Sequence, residues 1–254
     1  MQLGPLVPGR FVRRLNRFAA LVEVGARRAL AHVANSGRLG ELFVPGRVVY
    51  VRARDGAGRR CPYDLALVRY GRALVSVDAR LPNGLVAEAL RAGRIAPLRG
   101  YRRIRAEVRQ GNHRLDFVLE RRGARCLVEA KSCTLVEGGV ALFPDAPTLR
   151  GRRHVELLTR AVRRGARAAG QAGRQRTHAA VIFVVQRADP VTFRPHADAD
   201  PDLARALAKA ARAGVRILAY RCRVTRRAIS IADPIRVEMP QPVRPLSQAT
   251  ARRD

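Results

Sequence analysis

Lysine is nearly missing from this chain: Lys131 and Lys209 are the only two in 254 residues, so 48 of the 50 basic side chains are arginine. Acidic residues are scarce as well, 20 in all, which leaves a formal charge of +30. A cationic excess of that size points to a polyanionic partner, nucleic acid before others. An arginine-preferring genome produces the same composition, so the charge assigns no function by itself. Tryptophan is absent and aromatic residues are only 5% of the chain, too few for an extended base-stacking platform. Contact with a phosphate backbone, without strong sequence preference, suits that composition better. No apolar run is long enough to span a bilayer; Ala179–Val185 is among the longest, and a membrane partner is not expected. The opening Met-Gln-Leu-Gly-Pro-Leu-Val-Pro-Gly-Arg lacks the apolar stretch of a secretory signal. Cys61, Cys126, Cys133 and Cys222 form no Cys-x-x-Cys pair and the histidines show no metal-ligand spacing, which argues against structural zinc. A cytoplasmic protein with reduced thiols is the expectation.

What is present is an ordinary globular composition, 47% hydrophobic, which excludes wholesale disorder. The charge follows length: residues 1–81 hold 15 arginines against 5 acidic residues, and residues 82–254 hold 35 basic against 15 acidic residues. Arginines interleave with apolar residues that must pack, so a folded basic surface is implied and not a basic arm. Residues 1–81 read as short strands at 11–24, 29–33, 47–54, 63–68 and 73–77, punctuated by Pro and Gly. That count fits an OB-like β-barrel, though other small β domains share it. Asn35-Ser36-Gly37-Arg38 reads as a hairpin turn before a ligand loop.

Leu81-Pro82-Asn83-Gly84 reads as a turn, followed by a short helix at 85–91. From 82 to 239 the pattern becomes α/β. Strands are expected at 102–109, 115–120, 125–130, 179–186 and 215–224. Helices are expected at about 148–169 and from an Asp200 N-cap to 213. Gly165–Thr177 looks like a polar loop insertion, and 240–254 like a flexible basic tail.

Chemistry concentrates at Asp116 and at Glu129-Ala130-Lys131, on two adjacent predicted strands. Strand alternation places Glu129 and Lys131 on one face. Asp116 and Glu129 would form a hard oxygen site for Mg²⁺ or Mn²⁺, and Lys131 would orient a water or offset charge on phosphorus. Lysine retained in an arginine chain is informative, since its compact ammonium differs in shape and acidity from guanidinium. From these residues alone, a catalytic trio and a surface ion pair on a hairpin stand equally.

Beyond the trio, Glu88 is either an extra carboxylate for the metal or, more commonly, an exposed helix acid. Gln186 faces either the metal edge or the backbone at a strand end. Arg150, Arg152, Arg153 and His154 open a helix, receiving phosphate there or forming a solvated basic face. Arg114 beside Asp116 is a further nucleic-acid contact. On the barrel, Arg13, Arg14, Arg17, Arg38 and Tyr63 would make a basic groove with one aromatic.

Several strings together resemble one family over residues 3–237. They are Leu-Val-Pro-Gly-Arg-Phe-Val-Arg-Arg at 6–14, His-Val-Ala-Asn-Ser-Gly-Arg-Leu at 32–39 and Tyr-Asp-Leu-Ala-Leu-Val at 63–68. Arg-Leu-Asp-Phe at 114–117, Val-Glu-Ala-Lys-Ser at 128–132 and Phe-Val-Val-Gln-Arg at 183–187 follow. The longest is Thr-Leu-Val-Glu-Gly-Gly-Val-Ala-Leu-Phe-Pro-Asp-Ala-Pro-Thr at 134–148. On these strings the chain resembles the sugar fermentation stimulation protein A family. The resemblance implies a mixed α+β architecture, an N-terminal OB-like β-barrel followed by a restriction-endonuclease-like PD-(D/E)xK domain. It also implies Asp116, Glu129 and Lys131 as the acidic pair and lysine, and DNA as the partner, with RNA allowed. The activity implied is metal-dependent phosphodiester hydrolysis; the alternative is a non-catalytic DNA-binding regulator of sugar (maltose) metabolism genes. Departures from the family pattern at Ala130, Cys133, Asn112-His113, Leu149 and the longer 168–177 segment leave the trio intact. Oligomeric state carries no signal in the sequence, a dimer being one expectation.

Overall fold

The computed structural model describes residues 1–54, 60–110, 113–168 and 175–240. The 241–254 part of the expected tail therefore lies outside the described residues. The barrel is built from β1 (Val7–Asn16), β2 (Ala19–Val24), β3 (Arg27–His32), β4 (Val48–Ala53), β5 (Tyr63–Tyr70) and β6 (Ala73–Ser76). The apolar alternation from Phe11 to Val24, expected as one strand, is a hairpin. Asn16 accepts the Phe18 amide on its side chain at 2.8 Å, an Asx turn that reverses the chain. Gly25, at φ +60°, supplies the next reversal, where a Cβ would be strained. Parallel bridges from Ala31 to Tyr63 and from His32 to Asp64 join β3 to β5. With β1–β2, β2–β3, β1–β4 and β4–β5 antiparallel, five strands close in OB order, and β6 pairs with β5. Phe11, Val22, Val49, Val51 and Leu65 fill the interior.

The stretch expected as a closing turn is instead the first turn of α1 (Leu81–Arg91). Pro82 lies where a helix needs no amide donor, and its ring is buried, so packing overrides the turn chemistry of Asn83-Gly84. A six-stranded sheet follows, containing β7 (Arg103–Gln110), β8 (His113–Arg121) and β9 (Ala124–Cys133) as an antiparallel meander. Next come β10 (Val136–Glu137), β11 (Val140–Phe143), α2 (Leu149–Ala168), β12 (Arg176–Val185), β13 (Thr192–Pro195), α3 (Pro201–Arg212), β14 (Arg216–Val224), β15 (Ile229–Pro234) and β16 (Arg236–Val237). The large sheet has the order β15-β14-β12-β9-β8-β7, with β9, β12 and β14 parallel. The strands β10, β11, β13 and β16 form a second small sheet.

The large sheet is covered on both faces, so β9 and β12 read as near-continuous apolar runs. On one face α1 packs against Phe117, Leu119, Val128 and Ile182. On the other, Val155 and Leu158 of α2 and Leu203 and Leu207 of α3 cover Leu127, Val181 and Phe183. The start of α3 is as expected: Asp200 accepts the Leu203 amide at 2.9 Å, and Gly214 ends the region at φ +90°. The two ends of the expected insertion at 165–177 are regular structure. Helix α2 continues to 168 and β12 begins at 176, while 169–174 lie outside the described residues. Gly165 lies within α2, where a Cβ would meet Thr177 Cβ at 2.7 Å; the glycine permits a close helix–strand approach.

Candidate active site

The parallel register of β12 on β9 places Val181 beside Glu129 and Phe183 beside Lys131. Both residues of the Glu-x-Lys pair thus project toward α2, while Ala130 faces the α1 side. Asp116 comes from β8. The β8–β9 pairing runs as far as Phe117 opposite Val128. Beyond it the Asp116 carboxylate takes over the ladder: its Oδ2 accepts the Ala130 amide at 2.8 Å. Its Oδ1 accepts from Asn83 Nδ2, on the first turn of α1, at 3.0 Å. The residue facing Asp116 on β7 is Glu107, whose backbone is left-handed at φ +53°, an uncommon conformation for a non-glycine residue.

Glu129 is 2% exposed. Lys131 Nζ donates to its Oε1 at 2.5 Å, and His154 Nδ1 of α2 touches the same oxygen. The other oxygen, Oε2, is buried and has no hydrogen-bond partner. Burial works against the Glu129 carboxylate, yet the bond from His154 and the charge of Lys131 hold it below the usual carboxylate range. Asp116 goes the other way. Burial and then the negative charge of Glu129 push it up, against the bonds from Ala130 and Asn83. A divalent cation between the two carboxylates would relieve that repulsion and satisfy Oε2, and two carboxylates are a hard oxygen set suited to Mg²⁺. Among the described residues no group of three or more His, Cys, Asp and Glu side chains stands at metal-holding spacing. A cation here would keep several waters, as Mg²⁺ does.

The other sequence candidates disperse. Glu88 lies five residues along α1 from Asn83, is half exposed, and its Oε2 accepts from the Met1 ammonium at 3.0 Å. Gln186 is fully buried and turned away from the acidic pair. It accepts from Ser132 Oγ at 2.6 Å and donates to Ser76 Oγ and the Asp78 carbonyl at 2.9 and 3.1 Å, tying the barrel to β9. Arg14 is not a free cation for phosphate: it donates to the carbonyls of Asn16, Arg17, Asn35, Gly37 and Arg38. Its role is to shape the Asn35–Arg38 loop. Arg13, Arg17 and Arg38 are exposed, and Arg17 and Arg38 line a 440 Å³ depression with that loop. Tyr63 is part-buried and packs against the barrel core. Arg114 is exposed and lies 3.6 Å from Glu107. Arg150 and Arg153 are exposed on α2, whereas Arg152 pairs with Asp202 of α3. His154, grouped with these arginines by sequence, belongs instead to Glu129. Asn83 was missed; its place in a Pro-Asn-Gly string carried only a turn signal.

A closed OB barrel leading into an α/β domain, with Glu-x-Lys on a central strand and a carboxylate beside it, defines a class of two-domain proteins. Residues 12–77 match the SfsA N-terminal OB domain and residues 80–228 match the Sugar fermentation stimulation protein RE domain. The chain belongs to the sugar fermentation stimulation protein family. It is 41% identical over 236 residues to a Sugar fermentation stimulation protein homolog of Moorella thermoacetica, covering 92% of this chain and 97% of that one. A homolog from Acetivibrio thermocellus is 45% identical over 222 residues, 87% of this chain and 91% of that one. The solved structure of Pyrococcus furiosus SfsA in complex with Ca²⁺ superposes with a TM-score of 0.81 at 31% identity, covering 94% of this chain and 98% of the other.

Proposed function

We propose that this protein is a divalent-cation-dependent nuclease that binds nucleic acid, DNA foremost and RNA as the other substrate, and hydrolyses its phosphodiester bonds. The observation that carries this reading is the buried, unpartnered Oε2 of Glu129, whose charge acts on Asp116, with Lys131 on the same carboxylate. The relative from Pyrococcus furiosus described in complex with Ca²⁺ adds support, since Ca²⁺ is also a hard, oxygen-seeking cation. Asp116 and Glu129 would hold Mg²⁺ or Mn²⁺. A bound cation would polarise the scissile phosphate and lower the pKa of a bound water. Lys131, its side chain 16% exposed, reaches solvent from Glu129 and is placed to orient the attacking water or to offset charge growing on phosphorus. The exposed Arg150 and Arg153, beside the site on α2, and Arg17 and Arg38 on the barrel supply backbone contacts.

Labelled DNA and RNA incubated with purified protein and Mg²⁺ or Mn²⁺ test the reading. Wild type should cleave, and Lys131→Ala and Asp116→Asn should each lower the rate by about 10²–10³-fold while still binding. Equal cleavage by wild type and Lys131→Ala, or none by either, defeats it. A binding-only protein is the second reading, favoured by the hydrogen bond already made by each Asp116 oxygen. It requires nucleic-acid binding that survives Asp116→Ala and needs no divalent cation.

A further inference from the structure

Glu129 receives two contacts from two different elements, and both fall on one oxygen. Lys131 Nζ comes from the same strand and His154 Nδ1 from α2. A carboxylate rotates about its last torsion between two nearly equivalent settings. An ammonium on a four-carbon stem follows either setting, so Lys131 alone would not choose between the oxygens. His154 is less free. It precedes Val155, which is buried in the core with Leu158, and its helix is anchored at the start by the Thr148 hydroxyl, which accepts the Gly151 amide at 3.1 Å. The Thr148 amide in turn donates to Asp200, the N-cap of α3, at 2.8 Å. Only 16% of the His154 side chain is exposed. The ring therefore approaches Glu129 from a fixed direction, and with its proton on Nδ1 it donates to Oε1.

We propose that His154 is a positioning residue: by binding Oε1 together with Lys131, it presents Oε2 of Glu129 as the oxygen offered to a divalent cation. This inference rests on the reading of Asp116 and Glu129 as a cation site. Groups that hydrogen-bond a ligating carboxylate set its orientation, and losing one typically weakens metal binding by about 10–100-fold. Among the contacts made by the residues that open α2, this is the one directed at the acidic pair; the neighbouring Arg152 is committed to Asp202.

The test uses Mn²⁺ alone, without nucleic acid, titrated into the full chain and followed by the spin-resonance signal of free Mn²⁺. His154→Leu and His154→Asn are near-equal in shape, but only the amide of Asn donates. His154→Ala removes the donor without added bulk, and circular dichroism melts identify any variant that has not folded. Wild type should bind Mn²⁺. Leu and Ala should bind it about 10–100-fold more weakly, and Asn should recover most of the loss. Wild-type affinity in Leu or Ala overturns the inference while leaving the cation site standing. So does an Asn variant as weak as Leu, because the contact would then be merely structural. If wild type takes up no Mn²⁺, or Asp116→Asn takes it up equally well, the cation-site reading fails and this inference with it.

Discussion

At Asp64 two arginines converge on one buried carboxylate, Arg54 at 2.7 Å and Arg80 at 3.0 Å. Burial, the largest influence, works against the charged form, but the bonds from Arg54 and then Arg80 outweigh it and hold Asp64 below its ordinary 3.8. A carboxylate lowered on folding contributes stability above its unfolded value and loses it as pH falls through the lower folded value. Asp64→Asn should therefore lower the melting temperature at pH 7 by roughly 5 °C, the effect of about 2 kcal/mol on a chain of this size. The gap to wild type should close as pH is taken below 3.8, which thermal melts across pH would record. At this scale the site was partly legible. Lys131 stood out because the chain has only two lysines, and Glu129 followed from strand alternation. Asn83 and the contact of His154 with Glu129 were not legible, because each depends on which helix face meets the sheet, and that is settled by core packing 30 or so residues away in sequence.

Among elements, the joint between the barrel and the sheet has an apolar part, where Tyr50 and Leu67 share a core with Leu85 and Tyr220, and a polar part. Gln186, at the end of β12, bonds Ser132 next to Lys131, and Ser76 and Asp78 on the barrel side. Its own backbone continues the joint, donating to Cys133 and accepting from Ser76, both at 2.9 Å. Gln186→Leu keeps the bulk but strands those buried partners, which costs about 2–3 kcal/mol. Urea unfolding should show a lower midpoint by that amount, and an unchanged midpoint would mean water satisfies the joint. The strands that alternate cleanly, and the Asp200 cap with Pro201, were readable because their signals are local. The hairpin inside 11–24, the helix beginning at Leu81 and the helical Gly165 were not. In each, a tertiary contact or a side-chain turn overrides what local residue preferences specify: the Asx bond at Asn16, the burial of Pro82, the approach of Thr177.

At the scale of the whole molecule, a charge of +30 surrounds the acidic pair of the buried Glu129 and the part-buried Asp116. On the proposed reading the contrast is physically useful, since a surface of arginines would gather a polyanion and the acidic pair would hold a cation. Several arginines that seemed free are structural, Arg14 most clearly, so fewer cations are free on the surface than the composition implies. The central claim is that Asp116 and Glu129 together form a cation centre in this fold. Crystals of the full chain soaked in Mn²⁺ and measured for anomalous scattering test it most directly. A peak is expected within coordination distance of an Asp116 oxygen and of Oε2 of Glu129. Mn²⁺ peaks confined to other parts of the molecule, or a hydrogen-bonded water at Oε2 with no metal beside it, would contradict it.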